Sequence, residues 1–181
     1  MGYKGIGMKA TIIVGEPCTG KSTLMKAFLA SGDFHYRNDQ RLPRHEDPLD
    51  GVVVFGRYDE EHQFPGTDRL SMSIKPIAME HAWVYGHKGW HVVWEGARLG
   101  HGKTIREMQD MGFDVRLGVT ITDGPELMTR RALERSQPEA MLKRQGTAVK
   151  NLVEQFASIV TLLRCDTLDD IARNVEWMRG T

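Results

Sequence analysis

The chain has little of what usually narrows function quickly. Two cysteines, Cys18 and Cys165, stand far apart in 181 residues. They make no disulfide framework, so a reduced, cytoplasmic setting is expected. No apolar run approaches the ~18 residues of a membrane span, and no membrane partner is expected. The opening Met1-Gly2-Tyr3-Lys4-Gly5-Ile6-Gly7-Met8 lacks an apolar signal core. Ile6 stands where a myristoylation site needs Ser or Thr, and Met8 is an alternative start just ahead of the first strand. Net charge is absent, with 24 basic against 24 acidic residues. That excludes a broad basic surface for nucleic acid, although not a local basic groove. Metal-ligand spacing is missing too: all seven histidines fall between His35 and His101, and Gly89 interrupts the His87/His91 pair. There is no internal repeat and no low-complexity tract.

What is present is enough chain for one domain, 1–181, with 40% hydrophobic residues. One stretch dominates it. Gly15-Glu16-Pro17-Cys18-Thr19-Gly20-Lys21-Ser22 fits G-x-x-x-x-G-K-[ST]. The β-branched run Ala10-Thr11-Ile12-Ile13-Val14 precedes it, and the helix-type Thr23-Leu24-Met25-Lys26-Ala27-Phe28-Leu29-Ala30 follows. Glycines let several backbone N–H groups converge on one anion, and a helix N-terminus adds its positive end. Gly15, Pro17, Cys18, Thr19, Gly20, Lys21, Ser22 and Thr23 are therefore expected to hold a nucleotide triphosphate. Lys21 would reach the β- and γ-phosphates, and the Ser22 hydroxyl would hold Mg²⁺. Cys18 reads as a small loop residue rather than a reactive thiol, since only backbone is needed there.

Further strands are expected at Val52-Val53-Val54-Phe55, at His91-Val92-Val93-Trp94 and from Val115 to Ile121. Phe34 to Asp50, polar and carrying Pro43 and Pro48, reads as a loop or irregular insert. Helical character runs from Asp68 to Tyr85, with Pro76 either kinking it or sitting in its first turn, from Lys103 to Met111, and from Glu126 to Arg135. After a break at Ser136-Gln137-Pro138 it resumes over Glu139 to Gln145 and Thr147 to Leu163. Ile159 to Leu163 reads equally as a strand. Thr167-Leu168-Asp169-Asp170 is a capping-box variant opening a last helix. Alternating strands and helices give a parallel α/β sheet with helices on both faces. Ligands bind at the carboxyl ends of such strands. That places the phosphate loop, the loop after Phe55, Glu95 and Asp123 in one neighbourhood.

Glu95, directly after a strand, can serve Mg²⁺ or act as a general base; capping the next turn is the plainer role. Asp68 and Arg69 offer a carboxylate beside a forked cation, or merely a helix cap. Arg131 and Arg135 lie one turn apart, as a solvated basic helix also would. Arg98 adds to the positive field. Most aromatics lie between Phe34 and Trp94, and Tyr58 and Trp94 are candidate stacking surfaces for a flat acceptor. His35, Arg37, Arg41, Arg44 and His45 could form a basic rim for DNA.

The Gly15–Ser22 loop, Glu95-Gly96 after a strand and the Arg130–Arg135 stretch make the chain similar to the P-loop nucleoside and nucleotide kinases. The resemblance implies the three-layer P-loop NTPase fold, with a helical lid near 126–146 whose Arg131 and Arg135 close over the phosphates. It implies ATP and Mg²⁺, and the absence of a guanine-reading Asn-Lys-x-Asp run agrees with ATP. Compact size and the block Gly66-Thr67-Asp68-Arg69-Leu70-Ser71 resemble small bacteriophage kinases of nucleotide or DNA-modification pathways, including those that phosphorylate 5-hydroxymethyluracil in phage DNA. Lys21, Asp68, Glu95, Arg131 and Arg135 would then be catalytic. Arg69, Arg98, Tyr58 and Trp94 would contact the acceptor, and Ser22 and Glu95 the metal. A phage origin would place the protein in the host cytoplasm. The aromatic-ended Asp-Arg-Tyr motif of thymidylate kinases and the glycine-rich acceptor loop of adenylate kinases are both missing. A hydroxyl acceptor also benefits from a base where a monophosphate needs none. The alternatives are a deoxynucleoside monophosphate kinase and a P-loop ATPase working with a partner; self-association into a homo-oligomer stays open.

Overall fold

A strand sandwiched between two helical layers must be apolar on both faces, and the first strand meets that demand. In the computed structural model, which describes residues 7–38, 42–58, 66–122, 124 and 139–180, β1 (Met8–Gly15) is buried from Ala10 through Val14. It is flanked by β5 (His91–Glu95) and β6 (Phe113–Ile121), both parallel to it. β4 (Val52–Phe55) extends the sheet beyond β5, and β7 (Val160–Arg164) beyond β6. Two short antiparallel strands, β2 (His35–Arg37) and β3 (Arg44–Asp47), complete the order β2-β3-β4-β5-β1-β6-β7.

Helices cover both faces. α2 (Lys75–His87), α3 (Gly102–Asp110) and α4 (Glu139–Gln155) pack on one face through Ala78, Ala82, Ile105, Met108 and Leu152. α1 (Lys21–Ala30) and α5 (Leu168–Arg179) cover the other through Leu24, Phe28, Ile171 and Met178. The three-layer α/β arrangement is thus present. Thr167 caps α5 with the full reciprocal box, Asp170 doing the work of the usual Glu.

Two stretches differ from the sequence expectation, and a third settles between two readings. Phe34 to Asp50 is not an irregular insert: it carries β2 and β3, and Arg44 finds its partners within β3 and on α2. Arg44 is only 5% exposed. Its Nε donates to Glu46 Oε1 at 2.7 Å and to the Tyr85 hydroxyl at 2.8 Å. Arg44 is therefore unavailable to a basic rim. His45 lies between the rings of Tyr36 and Tyr58; Arg37 stays exposed near Glu46, and Arg41 lies outside the described residues. The helix expected from Asp68 is split into a short 3-10 turn, Thr67–Arg69, and α2, with Pro76 in the first turn of the latter. α4 stops at Gln155, and Val160–Arg164 joins the sheet beside β6, which decides for the strand between the two readings of Ile159 to Leu163.

Candidate active site

β1 is the switch point of the sheet. The chain leaves it toward β4 and β5 on one side and toward β6 and β7 on the other. A crevice opens at the carboxyl ends of the strands there. The Gly15–Ser22 loop fills it and hands over to α1 at Lys21. Gly20 takes φ 93, a left-handed conformation, and a Cβ on it would stand 2.5 Å from Cys165 Cβ. A side chain there is excluded twice, by conformation and by space.

The loop is braced from behind. Thr19 Oγ1 donates to Glu16 O at 2.8 Å and lies 2.6 Å from Thr120 Oγ1 on β6. Pro17, Cys18 and Thr19 are buried, Ser22 is half-buried and Thr23 is exposed in the first turn of α1. Lys21 folds back on the loop: its Nζ donates to Gly15 O at 2.9 Å and to Glu16 O at 2.7 Å.

Glu95 ends β5 in register with Ile13, one strand from the loop. It is 2% exposed. Burial pushes its carboxyl up to about 8; the Lys21 ammonium pulls it down, and the Asp68 carboxylate pushes it up. These three side chains are therefore electrostatic neighbours. Asp68 is tied in place by the 3-10 turn. Its Oδ1 accepts from the Arg98 backbone N–H at 2.9 Å, and Thr67 Oγ1 donates to Glu95 O at 2.7 Å. Gly66, at φ 87, lies flat against Glu95, and a Cβ there would overlap Glu95 Oε1. We expect Gly66→Ala to cost about 3 kcal/mol, lowering Tm by roughly 10 °C, and to displace Glu95. Thermal unfolding beside kcat checks this; an unchanged Tm with full turnover refutes it.

The remaining expectations fare unequally. Arg69 sits half-buried on the Asp68 turn. Arg98 is there too, but its Nη1 donates to Leu70 O at 2.6 Å, which makes it a brace for the turn. Trp94 cannot stack on an acceptor. It is 1% exposed, with Phe55 stacked on its ring at 5.9 Å and 2° between planes. Tyr58 is also no platform, being 7% exposed. It instead walls the acid pair. Burial raises its phenol well above the ordinary value, and the charges of Glu95 and Asp68 add to that. Asp123, Arg131, Arg135 and the Ser136-Gln137-Pro138 break lie outside the described residues. Of the segment 126–146, residues 139–146 belong to α4.

A cavity of about 330 Å³ runs from Lys21 and Asp68 to the gap between α3 and α4. His101, Gln145, Asn151 and Gln155 line it among aliphatic groups. Burial, then the Lys75 ammonium, hold His101 below its usual value, so its imidazole is neutral near pH 7. No arginine stands among the described lining residues. Thr120 and this amide-bearing wall escaped the sequence reading, whereas Gly66 and Thr67 stood in it only as the start of a helix.

With a braced phosphate loop, a facing carboxylate and a strand order that puts both at one crevice, the family comparison is decisive. The family model of P-loop Nucleotide Kinase3 matches residues 7–162. The chain belongs to that family. No curated protein matches the sequence. A P-loop nucleotide kinase binds a nucleotide, and such kinases generally use ATP and Mg²⁺. Among the described residues no helix is long and apolar enough to cross a membrane.

Proposed function

We propose that this P-loop nucleotide kinase transfers the γ-phosphoryl of ATP to a hydroxyl carried on an uncharged, base-like group, first of all a hydroxymethylated pyrimidine such as 5-hydroxymethyluracil in phage DNA. The observation that carries the reading is the cavity. It opens on Lys21 and Asp68 and offers the side-chain amides of Gln145 and Asn151 and a neutral imidazole. Amides match the edge of a pyrimidine; a monophosphate acceptor would ask for cations.

The donor set fits Mg²⁺. Ser22 offers a hydroxyl at the start of α1, and Glu95 a dehydrated carboxyl whose ionised form gains from a cation. Among the described residues no three acidic, His or Cys side chains gather into a metal cage. This suits an ion that keeps its waters and takes its other ligands from phosphates. When bound, the ion would neutralise charge on the phosphates. The chain's own residues do the rest. Loop amides grip the triphosphate, Lys21 leaves its two carbonyls for phosphate oxygens, and Asp68 orients the acceptor hydroxyl and takes its proton. The half-buried crevice limits access of water, so transfer to the acceptor outruns hydrolysis.

Labelled ATP offered with DNA containing 5-hydroxymethyluracil, and separately with a panel of deoxynucleoside monophosphates, tests the acceptor. Label in the DNA supports the reading, and label only in monophosphates refutes it. Asp68→Asn sharpens the assay. The amide can still accept from the Arg98 N–H, so the turn survives, but it cannot take a proton. We expect roughly 100-fold lower kcat on a hydroxyl acceptor and a far smaller loss on any phosphate acceptor. Equal losses on both would remove the base role.

A further inference from the structure

A second cavity, separate from the active site, lies at the opposite end of the sheet, where the parallel strands begin. It has a volume of about 590 Å³. Strand register explains its lining. Lys9 on β1 is paired with His91 on β5 and with Asp114 on β6, and Thr11 with Arg116. All of these project to the side that α1 and α5 cover, because they stand an even number of residues, directly or through their paired positions, from the core residues Ile13 and Val93 on that face. Asp50 and Arg179, the last residue of α5, also line the cavity.

The charges are unevenly matched. Arg179 is committed, with Nη1 2.6 Å from Asp50 Oδ2 and Nη2 2.6 Å from Ser31 O. Arg116 stacks on Trp177, its Cζ 4.3 Å from the ring centroid, and Asp114 is the acid that acts on it. Lys9 has no ion-pair partner among the described residues. Three cations thus face two carboxylates, with an imidazole between them. His91 Nε2 lies 2.8 Å from the buried Thr11 Oγ1. Burial, then Arg116 and Lys9, drive His91 down to about 4, and no acid counters them. An imidazole wedged under two cations makes sense when something negative sits among the three.

We propose that this cavity is a second binding site that takes a phosphate-bearing anion, held by Lys9 and Arg116 with His91 as a further donor. Its volume admits a nucleotide as readily as an inorganic phosphate. It faces away from the phosphate loop, and nothing in the proposal depends on how that loop is read. A bound anion favours the imidazolium, so occupation draws a proton onto His91 and adds a charged hydrogen bond.

The test uses full-length Lys21→Ala protein, in which the phosphate loop loses its ammonium but keeps its amides, so only binding that the His91 imidazole reports is assigned to this cavity. It is titrated with pyrophosphate and separately with ADP. Calorimetry gives affinity, and the His91 imidazole resonances report on the site itself. Saturable binding is expected, with the His91 titration midpoint raised by at least about one pH unit. Lys9→Gln and Arg116→Gln should each weaken it roughly tenfold, and added salt should weaken it further. Tighter ADP than pyrophosphate identifies a nucleotide; equal affinity identifies an inorganic anion. Absence of saturable binding by either compound overturns the proposal. So does binding that leaves the His91 resonances unmoved, a result that stays readable even if a substituted protein fails to fold.

Discussion

Lys21→Ala will abolish phosphoryl transfer, by roughly 1,000-fold or more, and leave the fold standing. On the proposed reading the ammonium is the charge that the loop brings to the phosphate oxygens, and such a preorganised charge is worth several kcal/mol at the transition state. Its structural duties are small. The carbonyls of Gly15 and Glu16 that it satisfies are half-buried, and water can replace it at a cost of about 1 kcal/mol. A second consequence is specific to this site. Lys21 restrains the pKa of Glu95, so its loss should raise the Glu95 pKa further above about 8. Single-turnover kinetics, calorimetry with ATP and a carboxyl titration by NMR together check the prediction. A variant that turns over at the parental rate would sink it.

Glu95→Gln should separate activity from stability. We expect transfer to drop by roughly 100-fold or more, since a neutral amide is a poor partner for a cation on the phosphates. Stability should move the other way, and the direction follows from proton counting. Below pH 4.5 the carboxyl is protonated in folded and unfolded chains alike. Between 4.5 and about 8 the unfolded chain gives up the proton while the folded one keeps it. Stability therefore falls as pH rises through that window and levels off above it. Glutamine has no proton to lose. The variant's advantage should grow from pH 5 to pH 8, by at most about 5 kcal/mol. Melting curves across that range, without magnesium, are the check. A variant less stable than the parent at pH 8 contradicts the account of Glu95 as a dehydrated acid. Adding Mg²⁺ with nucleotide should erase the gap, because a cation lets the native carboxylate ionise without penalty.

How much of this was legible in the chain depends on the range over which each residue's partners lie. The phosphate loop was fully visible, because strand, glycines, Lys21, Ser22 and helix are consecutive. Glu95 was visible through a rule about strand ends, and Asp68 through the turn signal before it. Arg44 was misleading. A charged run looks like a loop until Glu46 and Tyr85 are known to sit within hydrogen-bond reach. Trp94 misled for a different reason. A tryptophan ending a strand is equally placed to be core or platform, and Phe55, distant in sequence, decides between them. Ile159 to Leu163 was too short an apolar run for periodicity to assign; the open side of β6 made a strand of it. The close approach of Gly66 to Glu95, which leaves no room for a side chain, had no local signal at all, since it exists only after β4 and β5 have paired.

The two borders of the sheet are not equivalent. On one side lies His35-Tyr36-Arg37, three residues long, with a cationic Arg37 and the small reach of a two-peptide ladder. Such a border offers an approaching strand almost nothing to grip and greets it with like charge. The other border, Val160–Arg164, is five residues long and carries Leu162 at 57% exposure. Among the described residues no strand continues the ladder past it. If two copies of this protein extend one sheet across their contact, the seam runs along β7. Leu162→Lys is then the change that keeps the copies apart in solution.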